Sequence, residues 1–194
     1  MANKSKESKG KRLVYVSEEL INDVLGIARK RGETVSKFVE DAVQLAIQIH
    51  NIGLSLDKAA GVLEVMQAQR ALGGVFVPQG VLDFMIESIY KSGREELLKQ
   101  WYESGRLHGR YLRERFTEPL ETLKCFLEAT RWDLNEVDAL KEGEVVRFRC
   151  VSVALSMEAT EMLFNFLKGV LEGLGYKIQG TECLKGMIII TFKL

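Results

Sequence analysis

Lys11–Val43 reads KRLVYVSEELINDVLGIARKRGETVSKFVEDAV, and the change of period inside it decides what the segment can form. In Arg12–Ser17, Val14 and Val16 fall on one face and Leu13 and Tyr15 on the other, the alternation of a short β-strand. Glu18-Glu19 then suits the first turn of a helix, where carboxylates meet the positive end of the dipole. Leu20, Val24, Ile27 and Ala28 recur at helical spacing through Arg31, and Gly32 is placed to end that helix. Thr34 is a candidate cap for a second helix with Phe38, Val39, Ala42, Val43, Ala46 and Ile47 on its buried side, ending near Asn51 and Gly53. One strand and two short helices, within about 40 residues, cannot bury so many apolar side chains. A second chain supplies the missing half if the two strands pair into an antiparallel ribbon. The segment therefore predicts a homodimer.

Val14-x-Val16, Glu18-Glu19-Leu20, Gly32, Thr34-x-Ser36 and Ala42-Val43, taken in order, resemble the ribbon-helix-helix family of transcription regulators, which lay a two-stranded ribbon in the major groove of double-stranded DNA. The resemblance implies that Lys11, Leu13 and Tyr15 face the bases. It also implies that Thr34, with the amides of Val35 and Ser36, holds a phosphate, in keeping with the unpaired N–H groups of a helix start. Some residues depart from the pattern. Leu13 and Tyr15 stand where polar or basic readers are usual, and Arg12 stands at a position usually apolar. Leu13 can only touch a thymine methyl, and Tyr15 offers one hydrogen bond. Glu33 and Asp41 weaken phosphate attraction. The competing reading is a head that dimerises for assembly and does not bind DNA.

The formal net charge of the chain is zero, which argues against a general nucleic-acid coat. Charge is instead unevenly spread: Lys4, Lys6, Lys9, Lys11 and Arg12 face only Glu7 in the first twelve residues. Residues 1–10 read as a basic arm, and a solvated tail is the plain alternative. Three cysteines, Cys125, Cys150 and Cys183, without a closely spaced Cys/His cluster, predict buried thiols in a reducing compartment. The charged start has no apolar segment of a signal peptide, and no apolar run nears the ~18 residues of a membrane span. The expectation is a cytoplasmic protein with no membrane partner.

Beyond the head (11–50), residues 51–74 read as a helical connector. Its helix at 55–72 shows an apparent apolar face of Leu56, Ala60, Leu63, Met66 and Leu72, closed by Gly73-Gly74. Val75–Val77 is a candidate strand. Helices follow at 79–91, 94–115 and 118–131, the last with Thr117 as cap and Pro119 in its first turn. After Trp132 come a strand over 132–140, a turn, a strand over 145–153, a helix over Ser156–Leu174 stopped by Gly175, and a hairpin of Lys177–Cys183 with Met187–Lys193 around Lys185-Gly186. The whole is α+β: a ribbon-helix-helix head, a helical connector, and a domain of helices packed on a twisted antiparallel sheet.

Tyr102-Glu103-Ser104-Gly105 with Gly109, Trp132, the 144–153 strand, Gly169-x-Leu171-Glu172-Gly173, Glu182-Cys183-x-x-Gly186 and Phe192 together resemble the 4-vinyl-reductase-type small-molecule-binding domain over residues 75–194. That resemblance implies an apolar pocket for a small apolar or aromatic effector, with Trp101, Tyr102, Gly105, Gly109, Phe126 and Trp132 as candidate lining residues. From the residues alone, Gly105 and Gly109 lie on one helix face. Each costs about 1 kcal/mol against alanine, so close backbone approach to another element would account for them. The aromatic residues read equally well as core. Relatives that hold zinc use a glutamate three before the matching cysteine and a second cysteine eight after it. Here those positions are Gly180 and Thr191 around Cys183, so no metal is expected. No phosphate loop, metal-histidine motif or nucleophile elbow occurs. The expected function is a non-enzymatic, cofactor-free, ligand-responsive transcription regulator.

Overall fold

The computed structural model describes residues 14–131 and 133–194. The chain divides into two compact units, Met1–Leu56 and Asp57–Leu194, so the helix expected in the 51–74 connector belongs with the second unit.

The described part of the first unit is a pair of helices, α1 (Glu18–Arg31) and α2 (Val35–Asn51). α1 carries Glu18 and Glu19 in its first turn and Arg29, Lys30 and Arg31 in its last, complementing the dipole at both ends. Gly32 adopts φ 67°; its N–H donates to the Arg29 carbonyl and that of Glu33 to the Ala28 carbonyl, the paired bonds of a Schellman turn. Thr34 caps α2 by accepting the Lys37 amide at 3.2 Å. The Arg31 guanidinium lies 5.9 Å from the centre of the Phe38 ring, tying the two helices across the turn.

Two expected features of this unit are not completed within a single chain. Val14–Ser17 form no sheet ladder within the chain; a ribbon strand has no partner for its N–H and C=O groups until another strand supplies them. The expected buried side of α2 is not buried in one copy: α2 has no buried residue, Phe38, Val39 and Ala46 are half-buried, and Ala42, Val43 and Ile47 are exposed.

The second unit begins with α3 (Leu56–Ala71) and continues through α4 (Gln79–Arg115), α5 (Pro119–Thr130), β1 (Glu136–Glu142), β2 (Val145–Val151), α6 (Met157–Leu174), β3 (Lys177–Leu184) and β4 (Met187–Lys193). The four strands form one antiparallel sheet in the order β1-β2-β4-β3. Register puts Val146 beside Phe192, Phe148 beside Ile190 and Cys150 beside Ile188, and these six side chains are essentially inaccessible. Their strand neighbours Arg147 and Thr191 point to the opposite face, as a period of two requires. α6 covers the inner face with Leu163, Phe166, Leu167, Val170 and Leu171, the i, i+3, i+4 pattern of a helix buried along its length. Ser156 caps α6 through the Ala159 amide at 3.1 Å. Gly175 ends it at φ 95°.

Several boundaries differ from expectation. The helices expected at 79–91 and 94–115 form one element broken at Gly93 (φ −132°, ψ 24°). Val75–Val77 is not a strand, and its side chains are exposed. Glu118, not Thr117, precedes α5, without a side-chain cap, although Pro119 occupies the first turn. β1 starts at Glu136 rather than 132, and β2 ends at Val151. α3 buries Val65 and Ala68 and leaves Leu56, Leu63 and Met66 exposed, so the face expected to be buried is the wrong one. The reason is tertiary: a Cβ built on Gly61 would lie 2.9 Å from the Cys125 sulfur of α5. Gly61, not the leucines, is what α3 presents to Cys125 of α5.

Candidate functional site

The candidate DNA-facing residues divide by what the structure describes. Lys11 and Leu13 lie outside the described residues. Tyr15 is 98% exposed, free to meet a groove or a twin strand. Thr34 and Ser36 are exposed and Val35 is half-buried. With the Thr34 hydroxyl taken by the Lys37 amide, the amides of Val35 and Ser36 open a helix whose first turn has no internal acceptors for them. Helix starts of this kind are electropositive in general.

Two cations next to this helix start are already engaged. Arg31 Nε sits 2.9 Å from Glu33, and Lys37 Nζ 2.7 Å from Asp41; the Asp41 hydrogen bond holds the exposed Lys37 ammonium above its ordinary pKa. The exposed Lys37–Asp41 pair contributes little to stability.

In the second unit, Gly105 and Gly109 do not face a cavity. A Cβ on Gly105 would lie 2.1 Å from the Phe166 carbonyl oxygen, and one on Gly109 2.1 Å from that of Val170. α6 answers in kind: Gly169 meets the Tyr102 carbonyl at 2.1 Å and Gly173 that of Arg106 at 2.5 Å. Four glycines, two per helix, let α4 and α6 touch backbone to backbone. Their assignment as pocket-lining residues is corrected on that ground. Tyr102 lies along this seam, its hydroxyl donating to the Glu172 carboxylate, which raises the phenol pKa.

Trp101 and Phe126 do converge, on Phe166. Trp101 meets that ring edge-on at 6.1 Å, Phe126 is offset-stacked on it at 6.5 Å, and His108 packs on Phe166 at 5.1 Å and on Phe126 at 5.8 Å. Trp132 lies outside the described residues. Burial lowers the His108 pKa, partly opposed by the hydrogen bond between its Nδ1 and the Ser104 carbonyl; the imidazole is neutral at pH 7. Phe166 was legible in the sequence, since it shares the helical face of Met162, Leu163 and Val170, whereas its neighbour Phe164 is only half-buried.

The space beside this cluster is small. A void of about 20 Å³ is bounded by Leu82, Ile86, Trp101, Met162 and Leu163, enough for about one water molecule. A larger open cleft of about 410 Å³ lies on the other side of Ile86, lined by Asp83, Glu87, Tyr90, Lys91, Ser156 and Glu158. At its edge the Tyr90 hydroxyl donates to Glu161, and Arg94 reaches the same carboxylate at 2.6 Å. This triad fastens the first half of α4 to α6.

The cysteines are free, and burial pushes the Cys150 thiol up to about 12. Burial also raises Cys125 and Cys183, so none is poised as a thiolate near neutral pH. Among the described residues no group of His, Cys, Asp and Glu is placed to hold a metal ion, and no helix is long and apolar enough to cross a membrane.

Comparison with protein-family models, curated proteins and solved structures yields no match to this chain.

Proposed function

We propose that this protein is a homodimeric, DNA-binding transcription regulator of the cytoplasm, with a ribbon-helix-helix head and a body that takes a small apolar or aromatic effector. The observation that carries the head is its incompleteness. Among the described residues of the first unit only Val24 and Ala28 are buried, whereas α2 is apolar around more than half of its circumference. Val43 and Ile47 on one edge of that arc and Leu45 and Ile52 on the other are 54–72% exposed. A twin head covers such an arc. Pairing the two Val14–Val16 segments would place both Tyr15 side chains on one ribbon face, with a capped α2 start on either side.

Support for the effector is the ordered sequence resemblance together with the aromatic cluster at Phe166. The void beside Trp101 must enlarge to admit a molecule, so an effector has to select or create a more open arrangement of the first half of α4. Fluorescence anisotropy of full-length protein on duplexes from around its own gene tests the head. Affinity should fall by about 0.9 log unit per log unit of salt for each phosphate neutralised. Lys11→Ala should weaken every duplex, and Tyr15→Ala should change the preference among them. Absence of binding to any duplex at about 50 mM salt, where phosphate attraction is strong, would leave the second reading: a homodimeric binding or assembly protein. The excess of acidic over basic residues between positions 13 and 50 favours that alternative.

A further inference from the structure

The first half of α4 has two apolar faces, and only one is used. Leu82 and Tyr90 turn inward to pack on the core, and Ile86 is buried there. Val81, Phe84, Met85 and Ile89 lie on the other side and are 44–70% exposed, continuous with Val75 and Phe76, each 82% exposed, in the segment that precedes the helix. Val81, Phe84, Met85, Ser88, Ile89 and Ser92 follow one another at the three- and four-residue steps of a single helical stripe. No charged residue falls on that stripe; Asp83, Glu87 and Lys91 occupy the flank that borders the cleft. The Ser88 hydroxyl is also spent, donating to the Phe84 carbonyl at 2.7 Å, so it leaves no unpaired donor on this face. Dry, uncharged stripes of this size are rare on monomers.

We infer that this stripe is an interface between the bodies of two copies of the chain. The exposed surface of Val81, Phe84, Met85 and Ile89, taken with that of Val75 and Phe76 just before the helix, comes to roughly 700 Å², close to the ~800 Å² per partner of a standard stable interface. A two-fold contact must also match itself. An antiparallel pairing of two such stripes about a point between Ile86 and Glu87 sets Met85 against the partner's Ser88, Val81 against the partner's Ser92 and Phe84 against the partner's Ile89. Each bulky group thereby meets a small one or another apolar one, and no charge is buried. The proposal leans on the head dimer in one respect: two heads held together raise the concentration of one body around the other to about the millimolar range.

The test uses the full-length chain with the photo-crosslinking amino acid p-benzoylphenylalanine at position 84, in a mixture of ¹⁴N- and ¹⁵N-labelled protein. Irradiation should give mixed-isotope peptide pairs joining position 84 to residues 85–92 of a second copy. Crosslinks confined to one chain, for instance to residues 35–56, or no crosslinked product, would overturn the interface. In parallel, V81E/F84E, at exposed positions that leave the fold intact by circular dichroism, should weaken the dimer at least tenfold by sedimentation. A dimer with an unchanged dissociation constant and no inter-chain crosslink removes this interface but leaves the head dimer standing; a wild-type monomer at micromolar concentration removes both.

Discussion

The two units of this chain handle the same problem in opposite ways. The body surrounds Phe148, Phe192, Leu167 and Val170 so completely that they are inaccessible to solvent, and it brings its two principal helices to backbone contact through four glycines. The head has two well-formed helices, capped at Thr34 and closed at Gly32, with almost nothing buried between them. Good local signals thus produce helices in both places, but only the body converts them into a core. Helices of 14 and 17 residues are marginal in water without tertiary burial, and the proposed twin head is what would supply it.

The sharpest way to break this contrast is at the α4–α6 seam. Gly109→Leu should unfold the body or destabilise it by about 3 kcal/mol or more, since a side chain must enter where a carbonyl already sits. If urea denaturation of Gly109→Leu matches wild type, the backbone contact is wrong and a fillable pocket at Gly109 returns. Next comes the comparison of Phe148→Ala with Ile47→Ala. The first should cost about 3–5 kcal/mol at any protein concentration. The second substitutes a side chain 56% exposed in one chain; a monomeric head would register less than about 0.5 kcal/mol. With the head closed by a twin, Ile47→Ala should instead cost about 2–4 kcal/mol and show an unfolding midpoint that moves with concentration.

A smaller effect is expected from His108. Its pKa is lowered in the fold by burial against Phe126 and Phe166, so between that value and its ordinary 6.5 the unfolded chain binds the extra proton. The stabilisation is complete above about pH 6.5 and is lost as pH falls toward the folded value. The thermal unfolding midpoint should therefore drop as pH falls below about 6.5, and His108→Gln should flatten that part of the profile; an unchanged slope would place the acid sensitivity elsewhere. The smallest effect is at the head: Thr34→Ala should cost about 1 kcal/mol through the lost cap, read as a reduced denaturant midpoint of the full-length protein.

Features that depend on neighbours in sequence were legible from the residues alone. Gly32 and Gly175 stop helices because they accept a positive φ; Thr34 caps because its hydroxyl reaches an amide three residues on; the period of two in Val146, Phe148 and Cys150 identifies a half-buried strand. The hairpin around Lys185-Gly186 was equally local, though its anchoring was not: the Gly186 amide donates to the buried Thr160 hydroxyl, and a Cβ there would lie 2.1 Å from the Ser152 carbonyl. Other features turned on what lies across space. Leu56, Leu63 and Met66 repeat like a buried face, but α3 turns Gly61 toward Cys125 instead, because close approach is set by the smallest residue rather than the most apolar. Gly105 and Gly109 carry the same pattern whether they border a ligand or another helix, and only the presence of Phe166 and Val170 carbonyls 2.1 Å from where a Cβ would stand decides between them. Periodicity tells which side of a helix seeks burial; which surface provides it depends on the packing of elements far apart in the chain and, under the proposed dimer, for α2 and the outer face of α4 on a second copy.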